Sequence, residues 1–531
     1  MSQDYSSIFA GIPKDQRKFL ALIDGTLHIS KAMGSDMSRL SDLLARLRKS
    51  GIGGPPVYHE PAAFERDFLS RSILALADVT DDNKVQAAAK DLIATAFRKG
   101  ASDIHITELG NYASVKMRIK GLLTEIEELE AEVGERLIKV YFDSFATTKG
   151  LTTFTNLVRM DSRIIRRDVL PQAVHSVRLH SEPIQLPSSE RNDGMGSFLA
   201  MRLLYDTIKA EGSLEERLGK LGFLAHQMKT IRNLTHRGGI SIISGPTGHG
   251  KSTVLKHIME SMIRDIPTRA YFSVEDPPEY PIRGMAQILV NTNKGETSDF
   301  GVRGQLYTDA IAGSLRSDPD VIMIGEIRYP QAALAAIYAA QTGHSVWATV
   351  HANDGFGIVT RLESLLRDAG VSNPLEMLCQ SNVLTGLCHQ RLVATLCPAC
   401  KKQYGGMDKD EQLAAVHEEL YDKLAALRGF GSQKDFDTMC VRGSGCEDCS
   451  GSGLSTMTVV AEAIEITPEV LSVMKRKGTD EARKIWLTKP GAGASRTYME
   501  HAIQLIREGV LDPNIVEDRI GTLSNSYAES A

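Results

Sequence analysis

Residues 245–253 read GPTGHGKST, an instance of G-x-x-x-x-G-K-S. The segment follows the apolar run ISIIS (240–244) and precedes the helix-forming VLKHIMESM. A P-loop that binds a nucleoside triphosphate requires this strand–loop–helix context. Gly245, Gly248 and Gly250 let backbone N–H groups close around phosphate oxygens, with Pro246, Thr247, His249 and Thr253 completing the cradle. Lys251 is expected to reach the β- and γ-phosphates of ATP, and Ser252 to offer its hydroxyl to Mg²⁺.

A second acidic segment follows, DPDVIMIGEIR (318–328). Its apolar run forms a strand expected to lie beside the phosphate-binding one, with Glu326 just past its end. A carboxylate there can orient or deprotonate an attacking water. The alternative is a surface ion pair between Glu326 and Arg328. Gly325 stands where an Asp ordinarily supports Mg²⁺.

Cys397-Pro-Ala-Cys400 and Cys446-Glu-Asp-Cys449 are paired C-x-x-C knuckles. Four thiolates suffice for a closed tetrahedral Zn²⁺ site with a structural role. The polar segment between them buries little core by itself, so a metal would stabilise the lobe. A redox dithiol or four free thiols are the alternatives. Cys379, Cys388 and Cys440 are scattered, and an odd total of 7 Cys with no secretory signal at the N-terminus points to a reducing compartment.

The elements that position these groups follow from the periodicity. Residues 1–85 show helical spacing, as in Leu40, Leu43, Leu44 and Leu47, with the breaker GIGGPP at 51–56. This predicts a helical N-terminal region. Residues 86–215 mix a helix with strands near 104–106, 113–119 and 175–179, an α+β domain, and the acidic stretch 125–135 reads as a solvated helix face. Residues 216–396 alternate strands and helices, which predicts an α/β, RecA-like domain with a parallel sheet. A four-cysteine lobe (397–455) and a C-terminal helical region (456–531) complete the chain. With 531 residues, 42% apolar content and a net charge of −5, the chain is a multidomain globular protein with no basic excess for nucleic acid. No apolar stretch is long enough to span a bilayer, so membrane contact is expected to be peripheral.

Further motifs resemble the secretion ATPase superfamily of type II secretion and type IV pilus systems. ASDIHI (101–106), MRIKGLL (117–123), DSR (161–163), VRLH (177–180) and MRLL (201–204) are similar to the family's second N-terminal domain, which is PAS-like. LGF (221–223) resembles the segment leading into the motor domain and helping to hold the adenine. SVEDPPEY (273–280) resembles its acidic box, which implies that Glu275, Asp276 and Glu279 support Mg²⁺ or water. TGH (342–344) and TVHAND (349–354) resemble its histidine box, which implies that His344 and His351 sense the γ-phosphate or brace the loop. Gly325 in place of an acid is typical of the family. The resemblance also implies that Arg178 and Arg202, with Arg163 a further candidate, reach nucleotide across a domain or subunit junction.

What the resemblance implies as a whole is a cytoplasmic homohexamer, peripheral at the inner membrane. It would couple ATP hydrolysis to assembly of a type IV pilus or type II pseudopilus through a polytopic platform protein. The four-cysteine insert is similar to those of assembly ATPases, against a retraction or type IV secretion ATPase. A DNA-translocating P-loop ATPase is the more remote reading.

Overall fold

The computed structural model describes residues 20–23, 26–31, 44–45, 48, 55–60, 82–147, 153–186, 194–205, 212–290, 300–427, 432–488 and 497–523. The chain forms two compact units, residues 1–207 and 208–531.

The first unit opens with a three-stranded sheet, β1 (Leu20–Ile23), β2 (Thr26–Ser30) and β3 (Val57–His59). The expectation of a helical region over residues 1–85 is corrected here. Alternating TLHIS buries Leu27 and Ile29, a strand period, and helical residues in the segment 40–49 are described only at 44, 45 and 48. Most of GIGGPP lies outside the described residues.

After the helix Asp82–Arg98 come β4 (Ala101–Glu108), β5 (Tyr112–Ile119), β6 (Leu122–Glu130), β7 (Met160–Ile164), β8 (Val174–Gln185) and β9 (Met195–Tyr205). They pair antiparallel in the order β6-β5-β4-β9-β8-β7. Leu92 and Ile93 of the helix pack in one core with Ile104, Ile106, Val115 and Met117. The buried Tyr141 hydroxyl donates to the Ala89 carbonyl at 2.8 Å. The acidic stretch is half strand: 122–130 is β6 and the helix Ala131–Lys139 starts only afterwards. A sheet edge tolerates the charges, and Glu125 meets Lys116 and Ser114 of β5.

The second unit is built on a seven-stranded sheet. Its strands are β10 (Gly239–Ser244), β11 (Tyr271–Glu275), β12 (Ala286–Leu289), β13 (Val321–Ile324), β14 (Ser345–Val350), β15 (Leu384–Leu396) and, past the short pair β16 (Lys402–Gln403) and β17 (Cys440–Val441), β18 (Leu454–Glu465). The order is β12-β11-β13-β14-β10-β15-β18, parallel except for β18. Both faces are covered, as parallel sheets demand. One carries the Ala-rich helix Pro330–Gln341 and the helix Gly357–Asp368, the other the helices Ala225–Thr235 and Lys251–Asp265. Among the described residues, no helix is long and apolar enough to cross a membrane.

Two further expectations change. The C-terminal region is not helical throughout, because the β-branched run around Thr458–Val460 lies in β18 and closes the sheet. The segment between the cysteine pairs also buries core. Tyr404, Leu420, Leu424, Phe436 and Met439 pack with Tyr498, Ile506, Leu511 and Val516 from the C-terminal helices.

Close packing fixes Gly386 of β15, where a Cβ would lie 2.3 Å from Leu234 Cδ1 and 2.9 Å from Ser241 Oγ. Gly386→Val is expected to lower the unfolding free energy by about 1–3 kcal/mol through overpacking. Urea titration followed by fluorescence, with Trp347 in the neighbouring core, checks this; an unchanged midpoint would contradict it.

Candidate active site

The phosphate loop leaves β10 at Ser244 and enters the helix Lys251–Asp265. Gly248 and Gly250 sit at φ +79° and +77°, a region that L side chains rarely adopt. A Cβ on Gly245 would lie 2.3 Å from the Gln390 carbonyl of β15. Lys251 is 8% exposed, and its ammonium donates to the carbonyls of Gly245 (2.7 Å) and Pro246 (3.0 Å). Phosphate oxygens are the natural replacements for those two acceptors. His249 turns away from the loop's mouth: its Nδ1 accepts from Leu392 N at 2.9 Å, and its carbonyl accepts from Gln390 Nε2 at 2.7 Å. Burial pushes the His249 imidazole down to about 4, which keeps Nδ1 an acceptor.

The strand leading to Glu326 is not the neighbour of β10, as expected, but the next but one, with β14 between them. This order explains the role of His351, the residue after β14. Its Nδ1 lies 3.1 Å from the Gly245 carbonyl, and its Nε2 lies 3.1 Å from Glu326 Oε1. Both partners are acceptors, so both bonds form only when both ring nitrogens carry protons. Arg328 Nη2 donates to Glu326 Oε2 at 2.6 Å, so the ion pair with Arg328 exists alongside the placement near the phosphate loop. Burial raises the Glu326 carboxyl, but the bonds from His351 and Arg328 outweigh it and hold it at about 2.

Gly325 has a spatial reason. A Cβ there would lie 3.2 Å from Glu275 Cγ, so the acid missing from β13 leaves room for one from β11. Glu275 Oε1 accepts from Ser273 Oγ (2.6 Å) and Gln287 Nε2 (3.0 Å), while burial raises its carboxyl above the ordinary range. Asp276 and Glu279 follow β11, and the Glu279 charge adds to the upward shift of Glu275.

His344 is not brought to this site. It precedes β14, and its carbonyl accepts from Gly239 N at the opening of β10. The phosphate loop starts beyond the far end of that six-residue strand, roughly 20 Å away at about 3.3 Å per residue. Its Nδ1 contacts Thr342 Oγ1 and the Ala339 carbonyl. The TGH pattern does not reveal which end of a strand it occupies. Phe223 of LGF is 4% exposed and packed in the core, which leaves its ring no open face for an adenine.

In the first unit, cross-strand register brings Arg163, Arg178, Arg202, Asp103 and Arg118 into one row over β7, β8, β9, β4 and β5. Asp103 accepts from Arg202 Nε at 2.9 Å and lies 3.8 Å from Arg118 Nε. Arg163 donates to Ser176 Oγ, and Arg178 is exposed. Arg118 escaped the sequence reading, although the MRIKG segment contains it.

The four cysteine sulfurs lie within 4.8 Å of one another. Sγ separations are 3.8 Å for Cys397–Cys446 and Cys400–Cys449, and 3.7 Å for Cys446–Cys449. A tetrahedron with Zn–S bonds of about 2.3 Å has edges of about 3.8 Å, so the set fits zinc, and these separations are far too long for disulfides. The N–H groups of Cys446 and Gly453 point at Cys449 Sγ (3.2 and 3.1 Å), favouring its thiolate.

Residues 78–512 match the family described as type II/IV secretion system proteins. The chain belongs to this family. It is 28% identical over 436 residues to the type II secretion system ATPase E of Vibrio cholerae serotype O1, covering 82% of this chain and 75% of that one. It is 30% identical over 397 residues to the type II secretion system protein E of Aeromonas hydrophila, covering 74% and 68%. The fold is similar to the Yersinia pseudotuberculosis ATPase DotB, with a TM-score of 0.52, 19% identity and coverage of 83% and 94%. The likeness to that structure bears on the fold, a mixed α/β architecture with a parallel-sheet core.

The cysteine geometry predicts about one zinc per chain. Metal analysis after purification checks it: Cys397→Ser with Cys446→Ser should lose the metal and loosen the lobe packed on residues 498–523. Full metal content in that double variant would contradict the assignment.

Proposed function

We propose that this chain is a hexameric ATPase that drives assembly of a type IV pilus or type II secretion pseudopilus. It acts at the cytoplasmic face of the inner membrane through a polytopic platform protein. The observation that carries the ATPase reading is the group Lys251–Gly245–His351–Glu326, in which a phosphate-loop lysine and an ionised carboxylate are tied to the same carbonyl through a histidine. Membership of the type II/IV secretion family supports the transport role. The four-cysteine cluster favours assembly, since the resemblance associates such inserts with assembly motors.

In this reading Lys251 exchanges its two carbonyl acceptors for β- and γ-phosphate oxygens, and Ser252 supports Mg²⁺. Mg²⁺ would neutralise phosphate charge, with Glu275 as the supporting acid beside Gly325. Glu326 holds the attacking water, and His351 turns from its tie to Glu326 toward the γ-phosphate. Arg178 and Arg202 are candidate further cations, as the resemblance implies; a guanidinium fork suits charge spread over phosphate oxygens. Release of phosphate removes the contacts that Lys251, His351 and Glu326 make with it, and the resulting motion works against the platform protein.

Phosphate release and nucleotide binding test this. Lys251→Ala should lose nucleotide binding. Glu326→Gln should bind ATP with near-normal affinity and turn over at least about a hundredfold more slowly, the range for loss of a positioned base. Because Glu326 stays ionised down to about 2, its protonation contributes no activity loss near neutral pH. Its tie to His351 and Arg328 contributes stability that is fully present above the ordinary carboxylate pKa and is lost as pH falls from there through about 2. Normal turnover by Glu326→Gln would end the assignment.

A further inference from the structure

Three buried polar side chains form a row across the sheet at the end where the phosphate loop begins. Ser244, the last residue of β10, is in register with His389 of β15, and His389 with Glu462 of β18. Their exposures are 0%, 0% and 2%. His389 Nδ1 lies 2.9 Å from Ser244 Oγ, and Arg391 Nε donates toward its Nε2 at 3.4 Å. These contacts fix a neutral imidazole whose Nδ1–H donates to the residue just before Gly245. The Tyr498 ring packs on the same imidazole with centroids 4.8 Å apart.

Glu462 ends the row and uses both carboxylate oxygens on backbone donors. Gly355 N donates to Oε1, and Tyr498 N donates to Oε2 at 3.3 Å. Gly355 belongs to the loop that begins with His351, and Tyr498 opens the C-terminal helix Tyr498–Arg507. The fit is tight: a Cβ on Gly355 would lie 2.8 Å from Glu462 Oε1. Enclosing a carboxylate here is costly. Burial lifts its pKa to about 7, Asp354 adds to the rise, and Arg483 and the two backbone donors oppose it. Apolar packing would hold two elements together at less cost, so the carboxylate's distinctive contribution is directional.

We propose that Glu462 is a positioning residue of the hydrolytic site: it ties the loop carrying His351 to the C-terminal helix at Tyr498, so that docking of this helix sets how His351 meets Glu326. The role rests on the ATPase reading above. It makes the C-terminal lobe, which packs on the segment between the cysteine pairs, a part of γ-phosphate recognition.

The test uses the full chain and measures affinity for ADP and for a non-hydrolysable ATP analogue, with phosphate release and thermal unfolding. In Glu462→Gln the amide offers one acceptor oxygen and one NH₂, so one of the two backbone donors loses its partner. ADP affinity should stay within about twofold, because the phosphate loop grips the diphosphate. The preference for triphosphate over diphosphate and kcat should each fall about tenfold, the effect of losing one hydrogen bond to a charged group. Gly355→Ala, whose Cβ presses on both Ile464 Cδ1 (2.6 Å) and Glu462 Oε1 (2.8 Å) without removing the carboxylate, should shift the same ratio in the same direction. If both variants keep the wild-type ratio and kcat while unfolding at lower temperature, Glu462 only packs and the proposal falls. A wild-type protein that neither prefers triphosphate nor releases phosphate would overturn the ATPase reading and this role together.

Discussion

The carbonyl of Gly245 is the point on which the site turns. It accepts from the Lys251 ammonium at 2.7 Å and faces His351 Nδ1 at 3.1 Å. A carbonyl oxygen has two lone pairs, and both are used here when the His351 ring carries protons on both nitrogens. One bond holds the cation that would meet phosphate. The other reaches, through the imidazole, the carboxylate that would meet water. Gly245 keeps this geometry because its Cβ position is filled by the Gln390 carbonyl. The phosphate loop is therefore held from two strands at once, β14 through His351 and β15 through Gln390, Leu392 and His389.

Strand order makes the arrangement possible. Placing β14 between β10 and β13 separates the strand that feeds the phosphate loop from the strand that leads to Glu326 by about 10 Å, at about 4.8 Å per strand. A side chain at the tip of the intervening strand fills that gap, and imidazole has donors on both sides when doubly protonated. The same spacing explains Gly325. With Glu275 leaning in from β11, an acid on β13 would compete for its space, and the bare backbone allows the exchange of one carboxylate for another.

Much of this was legible in the chain. ISIIS, VIMI and VWATV are short β-branched runs fully buried in a parallel sheet, so their pattern is continuous and their ends carry the loop residues. Glu326 stood out because it lies just past such a run, and His351 because TVHAND resembles the family's histidine box. His344 was misplaced since a motif names a neighbourhood in sequence but not the end of the strand. β18 was taken for helix because its partner β15 lies more than sixty residues earlier in places, as at Gln390 and Ala461. The core of the four-cysteine lobe was invisible for a related reason: its apolar partners come from residues 498–523. Glu462 escaped notice as well, since a single Glu within an apolar run gives no sign that both its oxygens are buried against backbone donors.

The most direct measurement is a structure of the full chain with Mg²⁺ and a non-hydrolysable ATP analogue. The account predicts that Lys251 Nζ leaves the Gly245 and Pro246 carbonyls for the β- and γ-phosphates, with Glu326 beside a water in line with the γ-phosphorus. A nucleotide bound elsewhere, with Lys251 still on its two carbonyls, would contradict it.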